Sequence, residues 1–319
     1  MTGKRQPLVI IAGPTAVGKT ALSIELAKKI NGAIISADSM QVYRYMDIGS
    51  AKVTKEEMQG IDHYLIDELL PTDEFNIVRF QQMAKDALQE IYMQGKVPII
   101  AGGTGFYIQA LLYDIDFTAE KDDNSCRREF EEYAKTYGNH ELHEKLKDID
   151  PVSYETIHEN NVKRVIRALE FYQLSGKPIS EHNEEEKQKE SPYNFAYFVL
   201  TDERSHLYSR IEKRVELMME NGLLKEVQGL KEMGCQKEMV SMQGLGYKEI
   251  FDYLDGNCTL DEAVYKIKRE TRHFAKRQLT WFRREKEVCW LDKSEYQYKD
   301  ALILNKMIDI LHEKEMIEE

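Results

Sequence analysis

Apolar residues in the first 115 positions form short continuous runs, and these runs alternate with longer stretches of amphipathic spacing. Short apolar runs are typical of buried β-strands, and they occupy positions 8–12, 33–36, 63–66 and 97–101. Helical spacing is found at positions 21–30, 75–94 and 106–112. Strands that alternate with helices in this way predict a parallel sheet with helices on both faces, an α/β fold.

The pattern changes near residue 116, where the strand runs stop and charged helical stretches replace them. Helical spacing occurs at 127–137, 141–147 and 161–174, and the polar segment 182–190 is expected to be a loop. Strand patterns return at 195–200 and 288–291, and the helical stretch 205–233 is interrupted at Asn221 and Gly222. We therefore expect a core made of residues 1–115 and 192–319, with a helical insertion at 116–191.

The segment between the first predicted strand and the first predicted helix matches a phosphate-binding loop (P-loop): glycine, four residues, then Gly-Lys-Ser/Thr. It consists of Gly13, Pro14, Thr15, Ala16, Val17, Gly18, Lys19 and Thr20. The glycines let backbone amides line a concave turn, and the helix start adds partial positive charge there. Lys19 is expected to reach the phosphates, and the Thr20 hydroxyl to bind Mg²⁺. The loop alone does not distinguish a nucleotide from another polyphosphate or diphosphate.

Composition narrows the class of protein. A chain of 319 residues is long enough for one large domain, or for a core with a smaller insertion. No run of 18 apolar residues is present, and residues 1–7 lead into the first strand without room for a signal peptide. The four cysteines are far apart, and His140 and His143 lack partners at ligand spacing, which argues against disulfides and zinc. These features predict a cytoplasmic protein that does not cross a membrane.

Residues 266–286 depart from the acidic average of the chain. The net charge of −12, taken alone, argues against a nucleic-acid partner, yet this segment has nine basic and two acidic residues. It also contains His273, Phe274, Trp281 and Phe282, and cations interleaved with aromatic rings are typical of nucleic-acid-binding surfaces. A helix whose basic face is solvated, or paired with acidic residues, explains the pattern equally well. Charge alone leaves both interpretations open.

Polar residues follow two of the predicted strands, at the edge where parallel sheets bind their ligands. Thr104 follows the strand at 97–101, which ends in Gly-Gly-Thr and lacks the aspartate that ATPases and GTPases with this loop ordinarily carry. Asp38 follows the strand at 33–36 and is a candidate general base for an acceptor N–H or O–H. Asp38 is explained equally well as a turn residue, because Asp-Ser is common in turns.

Arg210 and Arg214 lie four residues apart on a predicted helix, hence on one face of it. Cations on such a face can stabilise the negative charge of a leaving phosphate group. Glu212 and Glu216 on the same helix favour a solvated face instead. Considered alone, the spacing favours the solvated face.

Five further segments carry distinctive motifs: Ser-Ala-Asp-Ser-Met-Gln-Val-Tyr at 36–43, Met-Asp-Ile-Gly-Ser-Ala-Lys at 46–52, Ala-Gly-Gly-Thr-Gly-Phe-Tyr at 101–107, Lys-Arg-Val-Ile-Arg-Ala-Leu-Glu at 163–170, and Gly-Leu-Gly-Tyr-Lys-Glu at 244–249. Together with the P-loop, and in this order over nearly the whole chain, they closely resemble the tRNA dimethylallyltransferases, also called tRNA isopentenyltransferases. The set is far more specific than the P-loop alone. The eukaryotic members' C-terminal zinc finger has no counterpart here, so the resemblance is to the bacterial type.

The resemblance implies a P-loop NTPase-like core whose loop binds the diphosphate of dimethylallyl diphosphate instead of ATP. The N6 amine of adenosine 37, beside the tRNA anticodon, would attack the allylic carbon C1, and diphosphate would leave. Asp38 would take the proton from N6, while Lys19, Mg²⁺ on Thr20 and either Arg210 or Arg214 would stabilise the leaving group. The adenosine would have to leave its stack to reach this site.

The resemblance also implies which residues contact the tRNA. Asp38, Ser39, Met40 and Gln41 would hold the adenine with Thr104; Arg127, Lys163, Arg164, Val165, Ile166 and Arg167 would contact the anticodon arm; and Gln243 and Lys248 would contact the RNA from the core. The basic segment 266–286 then becomes part of the RNA-facing surface. We expect a monomer that binds tRNA and dimethylallyl diphosphate and no membrane.

Three other functions stand as alternatives. The Gly-Gly-Thr strand end and the basic aromatic segment argue against a P-loop kinase acting on small molecules. The helical insertion, which is large enough to hold an RNA stem, argues against an isopentenyltransferase acting on free adenine nucleotides. Intact Lys19, Thr20 and Asp38 argue against a non-catalytic RNA-binding protein.

Overall fold

The computed structural model describes residues 5–117 and 125–318. Residues 1–4, part of the segment on which the prediction about a signal peptide depends, lie outside the described residues, and so do residues 118–124 of the predicted insertion. Within the described ranges, no helix combines the length and the apolar character that crossing a bilayer requires.

Six parallel strands form one sheet, which confirms the predicted α/β class. The strands are β1 (Pro7–Ala12), β2 (Gly32–Ala37), β3 (His63–Tyr64), β4 (Val97–Gly102), β5 (Asn194–Thr201) and β6 (Val288–Asp292), in the order β3-β2-β4-β1-β5-β6. Strands β1, β2 and β5 are buried along almost their whole length. Helices cover both faces of such a sheet, which explains why these strands are continuous apolar runs in the sequence.

Helices connect the strands and follow them. In chain order they are α1 (Lys19–Lys29), α2 (Lys55–Met58), α3 (Ile77–Met93), α4 (Gly105–Leu112), α5 (Ser125–Tyr137), α6 (Asn139–Glu144), α7 (Leu146–Ile149), α8 (Pro151–Thr156), α9 (Val162–Ser175), α10 (Ile179–Lys187), α11 (Arg204–Glu220), α12 (Leu223–Glu232), α13 (Tyr247–Leu254), α14 (Leu260–Phe282) and α15 (Asp300–Glu313), with a 3₁₀ helix at Val240–Gln243. Helix α3 begins after Asn76, whose side chain accepts a hydrogen bond from the amide of Arg79 and so caps the helix.

The sheet register brings three strand ends to one edge. Gly102 at the end of β4 is paired with Ala12 of β1 on one side and with Ala37 of β2 on the other. The P-loop, Asp38 and Thr104 each follow one of these three ends. Because ligands bind at the carboxyl edge of parallel sheets, the topology gathers these predicted site residues.

The chain divides into two compact units, Met1–Leu112 with Pro192–Glu319, and Tyr113–Ser191. The second unit, called the helical unit below, has its own apolar core, built from Leu142, Leu146, Val165, Ile166, Ala168 and Leu169. Its described residues form helices with short connecting segments and no strand. The unit can therefore bury a core of its own without a strand.

The prediction of a loop at 182–190 is wrong for residues 182–187 and confirmed for residues 188–190. Helix α10 covers Ile179–Lys187. Its glutamates and lysine are good helix formers, and the amide and hydroxyl of Ser180 both donate to the carboxylate of Asp150, which anchors the first turn. The segment predicted as one helix at 141–147 is instead two short helices, α6 and α7, which meet at Lys145.

Candidate active site

The P-loop joins β1 to α1 in a backbone conformation that its glycines permit. Gly18 immediately precedes α1 with a φ of 101°, which glycine adopts without strain. At Gly13, a Cβ atom would lie 2.5 Å from the carbonyl oxygen of Leu200 in β5, so a side chain there would displace the loop from the sheet. These two positions account for the glycines at the ends of the motif.

The Lys19 ammonium group lies inside this loop. Its Nζ donates to the carbonyl oxygens of Gly13, at 3.0 Å, and of Pro14, at 2.9 Å. The pKa of Lys19 is lowered to about 8, mainly by burial and also by the positive charge of Arg214, while the carboxylate of Asp38 acts in the opposite direction. Lys19 is therefore within electrostatic range of both the predicted base and a predicted arginine.

A cavity of about 380 Å³ opens beside the loop and is strongly cationic. Its lining consists of Ala16, Gly18, Lys19, Thr20, Arg210, Lys213, Arg214 and Leu217. Four of these side chains are basic and none is acidic, which suits a multiply charged anion. Lys213 was not among the residues that the sequence pattern singled out.

The two arginines of this cavity differ in their surroundings. Arg210 is exposed, and its Nε donates to the carbonyl oxygen of Ala16 at 2.7 Å, which ties α11 to the P-loop. Arg214 is only partly exposed, and burial lowers its pKa, while the carboxylate of Asp38 acts in the opposite direction. Arg214 thus lies deeper and within range of Asp38, whereas Arg210 supports the loop backbone.

Asp38 stabilises a turn and also interacts electrostatically with Lys19 and Arg214. Its Oδ1 accepts a hydrogen bond from the amide of Met40 at 2.8 Å, as expected of a turn aspartate. In the described ranges, Oδ2 accepts no hydrogen bond, so it is available to an N–H or O–H group of an acceptor substrate. The amide of Thr104 donates to the carbonyl oxygen of Ala37 at 3.3 Å, so Thr104 adjoins the residue before Asp38. Asp38 also contributes, after burial and Tyr43, to a raised pKa of Tyr107.

Gln278 in α14 is a site residue that the sequence pattern did not reveal. Its Oε1 accepts from the amide of Thr15, and its Nε2 donates to the carbonyl oxygen of Gly103, both at 2.9 Å. A Cβ at Gly103 would lie 2.2 Å from that Nε2. Gln278 therefore bridges the loops after β1 and β4, and the Gly-Gly-Thr end of β4 leaves space for it.

The basic segment 266–286 contains two different parts. In the first part cations are paired: Lys266 with Asp252, Lys268 with Glu216, and Arg272 with Glu212. In the second part, a cavity of about 400 Å³ is lined by His273, Lys276, Arg277, Thr280, Trp281 and Arg284. Within the described residues, Lys276, Arg277 and Arg284 form no ion pair. The interpretation as cations paired with acidic residues therefore holds for the first part, and for the second part nucleic-acid binding stays a prediction.

The remaining core residues predicted to contact RNA lie close to one another. A Cβ at Gly244 would lie 2.8 Å from Met40 Sδ, so segments 39–41 and 243–248 adjoin. Gln243 is exposed, with its Nε2 donating to the carbonyl oxygen of Lys237, and Lys248 Nζ lies 3.7 Å from Glu249 Oε1. Ser39, like Met40, is partly exposed.

Gln41 is committed to the protein itself. Its Oε1 accepts from Ser36 Oγ at 2.9 Å, and its Nε2 faces the carbonyl oxygens of Ser50 and Ala51, each at 3.4 Å. This arrangement is that of a residue that supports a loop.

The helical unit carries the other predicted RNA contacts. Lys163 and Arg164 are exposed on α9. Arg127 donates to the buried carboxylate of Glu170 at 2.8 Å, and Arg167 lies 3.7 Å from the same carboxylate.

Val165 and Ile166, predicted as tRNA contacts, are 0% and 3% exposed. Both side chains belong to the apolar core of the helical unit and are not available to RNA. Helical periodicity explains the correction, since α9 turns these two residues inward between exposed neighbours.

In the described ranges, there is no group of three or more His, Cys, Asp or Glu side chains that could hold a metal ion. Mg²⁺ at phosphate sites uses one or two protein ligands and completes its shell with water and substrate oxygens. The exposed Thr20 hydroxyl on the first turn of α1 fits that role. The residues present thus suit a magnesium ion that arrives with a diphosphate.

Comparison with known proteins gives a consistent result. The family model described as IPP transferase matches residues 41–285. A tRNA dimethylallyltransferase of Lachnoclostridium phytofermentans is 62% identical over 312 residues, which cover 98% of this chain and 99% of that protein. One from Acetivibrio thermocellus is 53% identical over 298 residues, 93% of this chain and 95% of that protein.

Solved structures agree with these relatives. A full-length tRNA isopentenylpyrophosphate transferase from Bacillus halodurans has a TM-score of 0.73 and 45% identity, and the match covers 98% of each chain. A eukaryotic dimethylallyltransferase that acts on tRNA has a TM-score of 0.79 and 30% identity, over 90% of this chain and 74% of that one.

Proposed function

The chain belongs to the IPP transferase family of tRNA dimethylallyltransferases, and from this premise we propose that it transfers the dimethylallyl group of dimethylallyl diphosphate to N6 of adenosine 37 in tRNA. A bond forms between N6 and the allylic carbon C1. The bond from C1 to the diphosphate oxygen breaks, and diphosphate leaves with the electron pair. The N6 proton goes to the carboxylate of Asp38.

The diphosphate is bound by the P-loop amides and the cationic cavity in this proposal. Lys19 and Arg214 provide charge next to the loop, and Arg210 holds the loop backbone through Ala16. Negative charge accumulates on the diphosphate as the C1–O bond breaks, so fixed cations stabilise the transition state more than the ground state. The Thr20 hydroxyl would hold a Mg²⁺ ion, which would neutralise part of that charge.

The acceptor side is formed by the loops after β2 and β4. The turn bond from Met40 fixes one oxygen of Asp38, and Oδ2 is left to orient the amine and take its proton. An exocyclic amine is a weak nucleophile, so positioning by Asp38 and Thr104 supplies much of the rate. The flipped adenine reaches this edge from the tRNA, whose anticodon arm contacts Lys163 and Arg164 of the helical unit.

One observation supports the proposal most directly. The carboxylate of Asp38 favours the charged forms of both Lys19 and Arg214, which supports assigning the proposed base and the proposed diphosphate cations to one site. A transferase needs this combination, because attack on C1 and departure of the diphosphate occur together.

Replacing Asp38 by asparagine tests the assignment of the base. Asparagine keeps an oxygen for the amide of Met40, so the turn is retained while the proton acceptor is lost. We expect the turnover number for prenyl transfer to fall by about 10²- to 10⁴-fold, as is typical when a general base is removed. Nucleoside mass analysis of tRNA after incubation with dimethylallyl diphosphate measures the transfer, and calorimetry measures binding of the donor, which should persist.

Asp73→Asn is the matched control, because Asp73 also accepts a backbone amide, that of Leu70, at 2.8 Å. It should keep wild-type turnover. Undiminished transfer by Asp38→Asn would remove the base role, and absence of transfer by the wild-type protein would overturn the proposed function itself.

A further inference from the structure

A loop at 46–51 is held by a single carboxylate from a distant helix. Glu226 on α12 accepts hydrogen bonds from three consecutive backbone amides, those of Asp47, Ile48 and Gly49, at 2.8, 2.7 and 3.0 Å. Consecutive amides that converge in this way form an anion-binding concavity. Here the anion is the protein's own Glu226 side chain.

The same carboxylate is fixed from its other side. Tyr247 at the start of α13 donates its hydroxyl to Glu226 Oε1 at 2.9 Å, and the Tyr247 ring is fully buried. Gly49 lies against this ring, since a Cβ there would be only 2.5 Å from Tyr247 Cζ. Glu226 and Tyr247 therefore set the position of the loop together.

This loop is connected to the acceptor side of the candidate active site. Gln41 spans from Ser36, near the end of β2, to the carbonyl oxygens of Ser50 and Ala51 in the loop. Asp38 lies between Ser36 and Gln41 in the chain. A displacement of the loop would therefore carry Gln41, and with it the turn that contains Asp38.

A second anchor lies at the far end of the loop. The Lys52 side chain is 4% exposed, and its Nζ donates to the Tyr43 carbonyl oxygen and to the carboxylates of Asp47 and Asp67. Lys52 ties the loop to residues that follow Asp38 within the same part of the chain. Glu226 and Tyr247 are the contacts that tie it to α12 and α13.

We propose that Glu226 is a positioning residue for the transfer reaction, which acts through the loop 46–51 and Gln41 to hold Asp38 against the acceptor amine. The inference rests on the proposed function, because it assigns Glu226 to the acceptor half of that reaction. Within the part of the chain that the structure describes, Glu226 forms no hydrogen bond with the P-loop or with the residues that line the cationic cavity. Its loss should therefore affect the use of the acceptor and leave donor binding intact.

Glu226→Gln is the informative substitution because it preserves size while removing half of the acceptor capacity. The carboxylate offers two acceptor oxygens to four donors, whereas an amide offers one oxygen and one NH₂ group. In either orientation the NH₂ group faces backbone amides, which are donors themselves. The three-amide concavity then loses its anion and loosens, while the apolar core near α12 is unchanged.

The experiment compares Glu226→Gln, Tyr247→Phe and a control, Glu232→Gln. The Glu232 carboxylate is on the same helix, is exposed, and among the described residues accepts a hydrogen bond only from Gln228. For Glu226→Gln we expect kcat for tRNA prenylation to fall by about 10- to 100-fold, the range for a small misplacement of catalytic groups, with an unchanged KM for dimethylallyl diphosphate. Tyr247→Phe should give a smaller fall, and Glu232→Gln none. In Glu226→Gln, hydrogen–deuterium exchange should become faster in the peptide that covers residues 46–51 and stay unchanged in the rest of the protein.

The outcomes separate the inference from the function on which it rests. Wild-type kcat in Glu226→Gln, with or without faster exchange, would overturn the inference and leave the proposed function standing. So would an equal loss of kcat, donor affinity and thermal stability, because that pattern indicates general damage to the fold. A wild-type protein that does not prenylate tRNA would overturn the proposed function, and the exchange data would still decide whether Glu226 holds the loop.

Discussion

At the scale of single residues, the charge state of Lys19 depends on its burial and on two charged neighbours. Burial and Arg214 lower its pKa to about 8, and Asp38 acts in the opposite direction. Below that pH the ammonium group is protonated and attracts a diphosphate. Above it the group is neutral, so a rise of pH through about 8 removes one cation from the binding site.

We therefore expect the affinity for dimethylallyl diphosphate to fall as the pH rises from 7 to 9.5, with a break near 8. Past the break, the loss approaches about tenfold for each pH unit, as for any ligand that requires one bound proton. Calorimetric titration without tRNA measures this profile. An affinity that is flat across the range would show that Lys19 does not bind the diphosphate in its charged form.

Substitutions of Arg214 and of Asp38 should shift the pH at which donor affinity begins to fall, and the two shifts should be in opposite directions. Arg214→Met removes a positive charge and should move it to higher pH, while Asp38→Asn removes a negative charge and should move it to lower pH. Lys213→Met is the control, because Lys213 lines the same cavity but does not shift the pKa of Lys19. If the affinity began to fall at the same pH in all three variants, Arg214 and Asp38 would not influence the charge of Lys19.

Among the elements, α14 does the most to hold the site loops together. Gln278 links the loops after β1 and β4, and Trp281, one turn later, lies where a Cβ at Gly105 would be 2.1 Å from its Cδ1. The glycines of the Gly-Gly-Thr-Gly segment thus permit close approach of a helix. The reason for these glycines cannot be inferred from the sequence, because it is a contact between residues about 175 positions apart.

Gln278→Met should weaken both stability and donor binding. It removes the partners of the Thr15 amide and the Gly103 carbonyl oxygen, and leaving buried polar groups unpaired costs about 1–3 kcal/mol. Chemical denaturation measures the loss of stability, and calorimetry with dimethylallyl diphosphate measures the loss of affinity. Gln278→Glu keeps the acceptor for Thr15 and should retain more affinity than methionine does. Wild-type values in both variants would show that the bridge is dispensable.

The elements also show what the sequence could predict. Strands β1, β2, β4 and β5 and the P-loop were predictable, because buried parallel strands are continuous apolar runs and the loop has a fixed spacing. Helix α10 was not, because its polar surface carries no apolar stripe and its first turn depends on Asp150, thirty residues earlier. Asp38 could be proposed from its place after a strand, whereas Gln278 and Glu226 became evident only from contacts distant in sequence.

Across the whole molecule, the charges are divided unevenly. A net charge of −12 would repel RNA, yet the cavity at the end of α14 is lined by cations that form no ion pair with any described residue, and Lys163 and Arg164 are exposed on α9 of the helical unit. Binding of a polyanion by such a protein depends on these local groups and weakens steeply with salt. The average charge is therefore a poor guide to the partner.

Arg164→Ala should weaken tRNA binding and reduce the slope of log affinity against log salt by about 1, the change expected for one lost phosphate contact. Lys135→Ala is the matched control, since Lys135 is in the same unit but is paired with Glu132. Filter binding at several salt concentrations measures both slopes. Equal slopes for Arg164→Ala and the wild type would remove Arg164 from the interface.

The separation of the strand ends has a consequence for how this enzyme class can diversify. In the proposed function, the P-loop after β1 binds the prenyl donor, while the turns after β2 and β4, which lie at the same edge of the sheet, bind the nucleophile. Substitutions in these two short turns could thus change which nucleophile is used without changing the residues that bind the donor. Family members that evolved to use a new acceptor would differ in those turns, while the first strand and the glycines of the P-loop would stay the same.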